Sequence, residues 1–295
     1  MRQKVVIAGG TGFIGNDFRA RFERLGYEVV VISRKPPHVS WDDAPGLIRA
    51  LEGAEMLINL AGRSVNCRYN RTNREHIMRS RTETTEALGR AALACSRPPA
   101  LWINSSTATI YRHAVDRPMT ESTGEIGTGF SVEVAKAWEE SFFSFQLPRT
   151  RQVALRIAIV LGPNGGVMTP YVNLARAGLG GAQGGGAQWF SWIHIEDLFS
   201  IVRFVESRTD LSGVFNASAP HPVTNREQMR LIREALGRRF ALPAPRWLLE
   251  AGALLLRTET ELVLKSRWVV PERLLREGFR FRFETLDEAL RDILK

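Results

Sequence analysis

Apolar runs of about five residues alternate, over the first 160 positions, with stretches where apolar residues return every three or four places. Lys4 to Ala8 reads as a buried strand. Ile14, Phe18, Phe22 and Leu25 then mark one face of an amphipathic helix. Glu28 to Ser33 is a second strand and Met56 to Leu60 a third, with a short helix around Leu47 and Leu51 between them. A long helix follows from about Asn73 to Cys95, with Ile77, Thr84, Leu88, Ala91 and Cys95 on its inner side. Leu101 to Ser105 is the next strand, Ser131 to Phe145 a helix, and Val153 to Leu161 one further strand. Such alternation predicts an α/β fold: a Rossmann-like, doubly wound parallel sheet with helices on both faces.

The texture changes after Leu161. A loop leads to Gly178–Gly186, which is mostly glycine, and then to a short strand (Trp189 to Ile193) and a helix (Ile195 to Val205). From Pro220 the pattern is largely helical and broken at Pro243, Pro245 and Pro271. Thr224-x-x-Glu227 and Thr285-x-x-Glu288 have the form of capping boxes. We therefore expect residues 1–165, joined by 187–219, to form a dinucleotide-binding domain. Residues 220–295, with the loop 166–186, are expected to form a smaller helix-rich C-terminal lobe that binds substrate.

Composition narrows the class. With 44% hydrophobic and 24% charged residues, the chain is a globular mixture rather than a fibre or a disordered tail. Two cysteines, Cys67 and Cys95, cannot build a disulfide framework or a four-ligand zinc site, so no metal is expected. No apolar run is long enough for a membrane span, and the most apolar late stretch, Trp247 to Leu256, is interrupted by Glu250. A soluble, cytoplasmic protein is expected. The net charge is +9, and lysine occurs only at positions 4, 35, 136, 265 and 295 among 40 basic residues, so arginine dominates. That balance suits anionic partners such as phosphorylated cofactors, nucleotide sugars or nucleic acid, and equally an arginine-rich surface with no partner.

The strongest chemical signal follows the first strand: Gly9-Gly10-Thr11-Gly12-Phe13-Ile14-Gly15. Glycine here lets backbone N–H groups approach a pyrophosphate, to which the next helix presents its positive end. The second strand ends Ser33-Arg34-Lys35, where a reader of an unphosphorylated ribose would carry Asp or Glu. A hydroxyl and two cations suit a 2′-phosphate, which predicts NADP as cofactor. The third strand ends Asn59-Leu60-Ala61-Gly62, small enough for the adenosine side of the cofactor to cross.

These motifs, with Ser105-Ser106-Thr107 at the fifth-strand position and His194-Ile195-Glu196-Asp197, resemble an extended short-chain dehydrogenase/reductase. Further segments are similar to its atypical branch of epimerase family proteins, the branch of the human 39U member. They include Ser80-Arg81-x-x-Thr84-Thr85, Leu161-Gly162-Pro163-x-Gly165-Gly166, Gln188-Trp189-Phe190-Ser191-Trp192-Ile193-His194, Asn216-Ala217-x-Ala219-Pro220 and Pro271-x-Arg273-Leu274-Leu275, and they run nearly end to end. The resemblance implies NADP(H) held by Gly9, Thr11, Gly12, Phe13, Ile14, Gly15, Ser33, Arg34, Lys35, Leu60, Ala61, Gly62, Arg81, Ser105, Ser106 and Val160.

One departure bears on chemistry. Enzymes of that superfamily carry a Tyr-x-x-x-Lys pair in which the lysine lowers the phenol pKa. Here Lys136 stands at the lysine position, but the tyrosine position is Val132. Lys136 is expected to bond the nicotinamide ribose. Thr107 resembles the family's hydroxyl residue that orients a substrate oxygen, and Tyr111 is the nearest phenol in sequence, either a replacement acid or a wall of the cleft. Arg63, Arg68, Arg71, Arg74, Arg79 and Arg81 form either an anion-attracting rim or a solvated helix face. The leading expectation is an NADP-dependent epimerase or reductase with an anionic small-molecule substrate. The rival is a non-catalytic NADP(H)-binding regulator, which the missing tyrosine favours. A nucleic-acid partner would bring a salt-steep affinity that this fold does not require, and none is expected.

Overall fold

Side-chain alternation within each apolar run decides which face of the sheet it supplies. A computed structural model describes residues 2–295 apart from 164, 246, 248, 251–258 and 260. In chain order, β1 (Lys4–Ala8), α1 (Phe13–Arg24), β2 (Glu28–Ile32), α2 (Ala44–Leu51), β3 (Met56–Asn59), α3 (Arg71–Ala94), β4 (Leu101–Thr107), α4 (Phe130–Phe143) and β5 (Arg151–Ile157) form the predicted alternation. Then come β6 (Ile159–Leu161), α5 (Met168–Arg176), β7 (Trp189–Phe190), β8 (Trp192–His194), α6 (Ile195–Ser207), β9 (Gly213–Ala217), β10 (Val223–Thr224) and α7 (Asn225–Ala235). The remaining described helices are α8 (Glu261–Leu264), α9 (Glu272–Arg276) and α10 (Leu286–Ile293).

Six strands form one parallel sheet in the order β2-β1-β3-β4-β5-β9. Val5, Ile7, Met56, Ile58, Ile103 and Leu155 point to one face, which α1, α6 and the segment around Phe279 and Phe281 cover. Phe199 of α6 meets Phe18 and Phe22 of α1 edge-on at 5.4 and 5.0 Å, each pair worth about 0.5–1.5 kcal/mol beyond area burial. Val6, Ala8, Leu57, Trp102 and Ala154 point to the other face, beneath α2, α3 and α4. The chain leaves β1 for β2 on one side and returns to β3 on the other. The strand order therefore reverses between β1 and β3, and a crevice opens above their carboxyl ends.

A third core lies beyond β5. Met168, Phe190, Trp192, Met229, Ile232, Leu286 and Leu290 bring α5, α7 and α10 together. The buried carboxylate of Asp197 ties this cluster to α6 by accepting the backbone N–H groups of Arg282 (2.8 Å) and Phe283 (3.0 Å). Among the described residues, no helix is long and apolar enough to cross a membrane, and no cluster of His, Cys, Asp or Glu could hold a metal ion. Most of the apolar stretch Trp247 to Leu256 lies outside the described residues.

Several local expectations need correction. Val153–Leu161 is two strands, because the chain changes partners at Ala158: Ala158 N still donates to Ala217 O on β9, but Ile159 N donates to Ser191 O, and β6 pairs with β8. Ser191 likewise divides Trp189–Ile193 into β7 and β8, its hydroxyl bonding Arg267 O and Val269 O. The inner threonine of α3 is Thr85, fully buried, whereas the Thr84 hydroxyl turns back to Ser80 O. The Ser105-Ser106-Thr107 run ends the fourth strand, not the fifth. Thr285 and Glu288 make a complete capping box, while Thr224 makes only the forward half, accepting from Glu227 N.

Candidate functional site

The first loop is shaped by its glycines in different ways. Gly9 has φ +77°, and a Cβ there would lie 2.8 Å from Ala61 N. A Cβ on Gly15 would lie 2.6 Å from Gly10 Cα, so α1 packs directly on the loop. Gly12 is different, since its nearest neighbour would be Gly9 O at 3.6 Å, an ordinary contact. Gly12 therefore relieves no internal clash and leaves space on the outer side of the loop. It is also the N-cap of α1, with no capping side chain and no acidic residue in the first turn. The first N–H groups of that helix, Phe13 and Ile14 among them, face the same space with the positive end of the helix dipole.

The Phe13 ring turns away from the loop into backbone. Cβ atoms on Gly162, Gly165 and Gly166 would lie 3.0, 2.6 and 3.2 Å from its carbons, so the Gly162-Pro163-x-Gly165-Gly166 run exists to seat the ring. Val160 is half-buried on β6 just before that seat. A cavity of about 400 Å³ opens here, bounded by Phe13, Asn16, Pro163 and Ile195.

At the end of β2, the buried Ser33 hydroxyl lies 3.3 Å from Thr11 Oγ1 and accepts Lys35 N–H at 3.2 Å. The side chains of Arg34 and Lys35 are exposed and make no hydrogen bond or ion pair among the described residues. At the end of β3, Asn59 Oδ1 accepts Ala61 N–H at 3.0 Å, while its amide donates to Thr85 Oγ1 and Asn104 Oδ1. This buried set fixes the Leu60-Ala61-Gly62 turn, and the sequence reading missed it. The available signal was an asparagine in each of two neighbouring apolar strands, Asn59 at the end of β3 and Asn104 opposite it in β4. Arg81 reaches over the turn with its Cζ 5.1 Å from the Trp138 ring centroid, donating to Arg63 O (3.2 Å) and Ile77 O (3.0 Å). Burial pushes its guanidinium down to about 10, and no carboxylate pairs with it among the described residues. Arg81 is thus a charged group at neutral pH with carbonyls but no counter-ion, beside the crevice.

Thr107 closes β4. Its Oγ1 accepts Thr109 N–H at 3.2 Å, which leaves its own proton available. Ser105 is buried, and Ser106 points to the opposite face, donating to Glu139 at 2.6 Å. Glu139 in turn receives two bonds from Arg156 at 2.8 Å each, and Arg156 Nη1 donates to the Tyr111 hydroxyl at 2.9 Å. Tyr111 donates to Asn216 Oδ1 at 2.9 Å. The phenol is 1% exposed, and burial raises its pKa above the ordinary value against the pull of Arg156 and Asn216. Tyr111 and Ser106 therefore belong to a buried network behind the crevice rather than in it. Val132 is buried in the core next to this network, and Lys136, one turn further along α4, is exposed and makes no hydrogen bond or ion pair among the described residues.

The six arginines do not act together. Arg79 is held by Glu75 and Glu83, Arg63 by His76 and Asn73, Arg68 pairs with Glu259, and Arg74 lies over the Phe130 ring at 5.0 Å. Arg71 is exposed at the start of α3, and of the six Arg81 turns inward to the Gly62 turn. His194 caps α6 through Nδ1, and burial lowers its pKa.

A parallel sheet whose order reverses above a glycine loop, with open helix N–H groups and a hydroxyl closing the fourth strand, defines a Rossmann-like nucleotide-binding protein. The chain belongs to the NAD dependent epimerase/dehydratase family, whose model matches residues 5–217, and a Domain of unknown function (DUF1731) matches residues 244–293. It is 33% identical to the Epimerase family protein SDR39U1 of Homo sapiens, over 99% of each chain. The crystal structure of human epimerase family protein SDR39U1 (isoform2) with NADPH superposes with a TM-score of 0.90 at 32% identity, over 99% of both chains. The nucleoside-diphosphate sugar epimerase from Corynebacterium glutamicum superposes with a TM-score of 0.80 at 28% identity, over all of this chain and 58% of that one. The resemblance to epimerase family proteins read from the motifs is borne out.

Proposed function

We propose that this chain is an NADP(H)-dependent oxidoreductase of the epimerase or reductase type, acting on an anionic small molecule such as a nucleotide sugar without a Tyr-x-x-x-Lys pair. The observation that carries the cofactor choice is the pair of uncommitted cations, Arg34 and Lys35, beside the Ser33 and Thr11 hydroxyls where no carboxylate stands. The NADPH in the human relative's structure supports the same choice. Gly12 and the α1 N-terminus would hold the pyrophosphate, Leu60, Ala61 and Gly62 would let the adenosine side pass, and Lys136 would bond the nicotinamide ribose. Arg81 would border the cofactor at the Leu60–Gly62 turn, and Ser105 and Val160 would border the nicotinamide end. When bound, the nicotinamide supplies hydride transfer. This chain's part is to orient: Thr107, with its free hydroxyl proton, would bond the substrate oxygen that gains or loses charge. The lobe built from 166–186 and 220–295 would close over that substrate.

A second reading rests on the buried, fully bonded Tyr111 and on Val132. With no phenol beside Lys136, the chain would bind NADP(H) as a regulator and turn nothing over. Mass spectrometry of small molecules released from the purified protein separates the two. Co-release of a sugar nucleotide or related anion with NADP(H) supports the enzyme. NADP(H) alone, with no turnover on a panel of nucleotide sugars, supports the regulator.

A further inference from the structure

The structure holds a second opening, a cavity of about 760 Å³ beside the turn that follows Thr107. Its walls bring Arg112, His113, Gly127 and Thr128 from the segment that leads into α4 against Glu261 and Lys265 from the C-terminal part of the chain. Lys265 has only 10% of its side chain exposed, and its Nζ donates to Thr109 O at 2.8 Å. Among the described residues its other polar neighbour is Glu261 Oε1 at 3.9 Å, beyond hydrogen-bonding distance. A lysine ammonium has three donors, so part of its bonding capacity is unfilled. His113 Nδ1 accepts Ser266 N–H at 3.1 Å, which puts the ring proton on Nε2 as a further donor. The Thr128 hydroxyl makes no hydrogen bond among the described residues. Arg112, by contrast, is saturated by Asp116 and Glu125.

We propose that this cavity seats an anionic group of the substrate, a carboxylate or phosphoryl oxygen, with Lys265 Nζ as its main contact and His113 and Thr128 as further donors. The inference rests on the reading above, because Thr109, whose carbonyl holds Lys265, is two residues from Thr107. Lys265 and Thr107 thus border the same turn, and one substrate would span from the Thr107 hydroxyl to the Lys265 ammonium. Physical chemistry favours an anion over a neutral group. Burial and the nearby Arg267 lower the Lys265 pKa to about 8, against the pull of Glu261, so its charge is poorly compensated and an arriving anion stabilises it. Glu261 compensates that charge only in part, since its Oε1 stands 3.9 Å from Nζ without a hydrogen bond while Oε2 accepts from the Ser131 hydroxyl at 3.2 Å.

The test uses the full chain saturated with NADPH, so that the cofactor's own phosphate sites are filled. Inorganic pyrophosphate and succinate are titrated separately by calorimetry at about 0.15 M ionic strength, which screens surface arginines. At least one probe is expected to bind. Lys265→Met should weaken it by about tenfold or more, and Lys265→Arg should stay within about threefold, as befits a charge-assisted bond. Binding of pyrophosphate alone identifies a phosphoryl group, and binding of succinate alone a carboxylate. NADPH affinity, measured first on each protein, should be equal in all three and serves as the folding control. Unchanged probe affinity in Lys265→Met, or no binding of either probe to the parent, overturns the inference while leaving the cofactor reading intact. Failure of the parent to bind NADPH refutes the reading of function, and the probe titrations are then repeated without cofactor.

Discussion

Adding a single methyl group at Gly12 and at Gly15 should have opposite consequences for the stability of the free protein. At Gly15 a Cβ would lie 2.6–2.8 Å from Gly10 Cα, Gly9 O and Gly10 C, all backbone atoms that no side-chain rotation can move. Helix propensity favours alanine there by about 1 kcal/mol, but overpacking of this kind costs about 1–3 kcal/mol, and here the whole loop must shift. At Gly12, φ is −82° and the nearest atom would be 3.6 Å away, so alanine fits the free protein. Reduced freedom of the unfolded chain then adds about 0.4–1 kcal/mol of stability. The Gly12 methyl would, however, occupy the space into which the α1 N–H groups point, and a pyrophosphate held there would be pushed off by about a bond length. Losing one charge-assisted bond of about 1.5–3 kcal/mol weakens NADPH by roughly ten- to a hundredfold. Thermal unfolding without cofactor and calorimetric titration with NADPH read the two effects separately. Gly12→Ala should keep or raise the melting temperature and lose NADPH affinity, and Gly15→Ala should lose both. A Gly12→Ala protein that binds NADPH as tightly as the parent would refute the placement of the pyrophosphate over this loop.

Arg156→Met should destabilise the fold by about 3–5 kcal/mol in urea unfolding, because it strands Glu139, itself only 12% exposed, and frees the Tyr111 hydroxyl. Tyr111→Phe should cost about 1–3 kcal/mol of stability through the unpaired Asn216 and Arg156, yet leave NADPH affinity unchanged by calorimetry. Lys136→Met should show the reverse, with unchanged stability and weaker NADPH binding, since the side chain is exposed and unbonded in the free protein. The Lys265 pKa is depressed to about 8 from 10.5 by burial, with Arg267 adding to that and Glu261 opposing it. Between those values the unfolded chain binds more protons at this site, so its contribution to stability should rise with pH across that window. The stability difference between parent and Lys265→Met, followed by urea unfolding from about pH 7 to 10.5, should move in the parent's favour. A flat or falling difference contradicts the assignment. Arg112, His113, Glu261 and Arg267 face the same lysine and are present in both proteins.

The parts of the fold legible in the sequence are those fixed by local pattern. Val5, Val6, Ile7 and Ala8 are apolar at every position because both faces of β1 are covered, and the glycine loop follows because the chain must turn at once. β9 escaped notice because Gly213-Val214-Phe215-Asn216-Ala217 is short and opens on glycine, and only its pairing with β5 makes it a strand. The network of Ser106, Glu139, Arg156, Tyr111 and Asn216 draws on strands and a helix up to 110 positions apart, so no spacing rule finds it. Tyr111 looked like a candidate acid because sequence proximity to Thr107 says nothing of direction. The short 3₁₀ turn Ala108–Ile110 swings the phenol into the core. The glycines at 162, 165 and 166 were visible as a motif, but their reason, the Phe13 ring, lies 149 or more positions away.

The central claim is that Arg34 and Lys35, with Ser33, read a 2′-phosphate. Calorimetric titration of NADPH and NADH into the parent and into Arg34→Ala tests it most directly. The parent should prefer NADPH by about ten- to a hundredfold, as one charge-assisted fork to phosphate provides. In Arg34→Ala most of that preference should be gone while NADH binds as before. Equal affinity of the parent for the two cofactors, or an Arg34→Ala protein that keeps its full preference for NADPH, would contradict it.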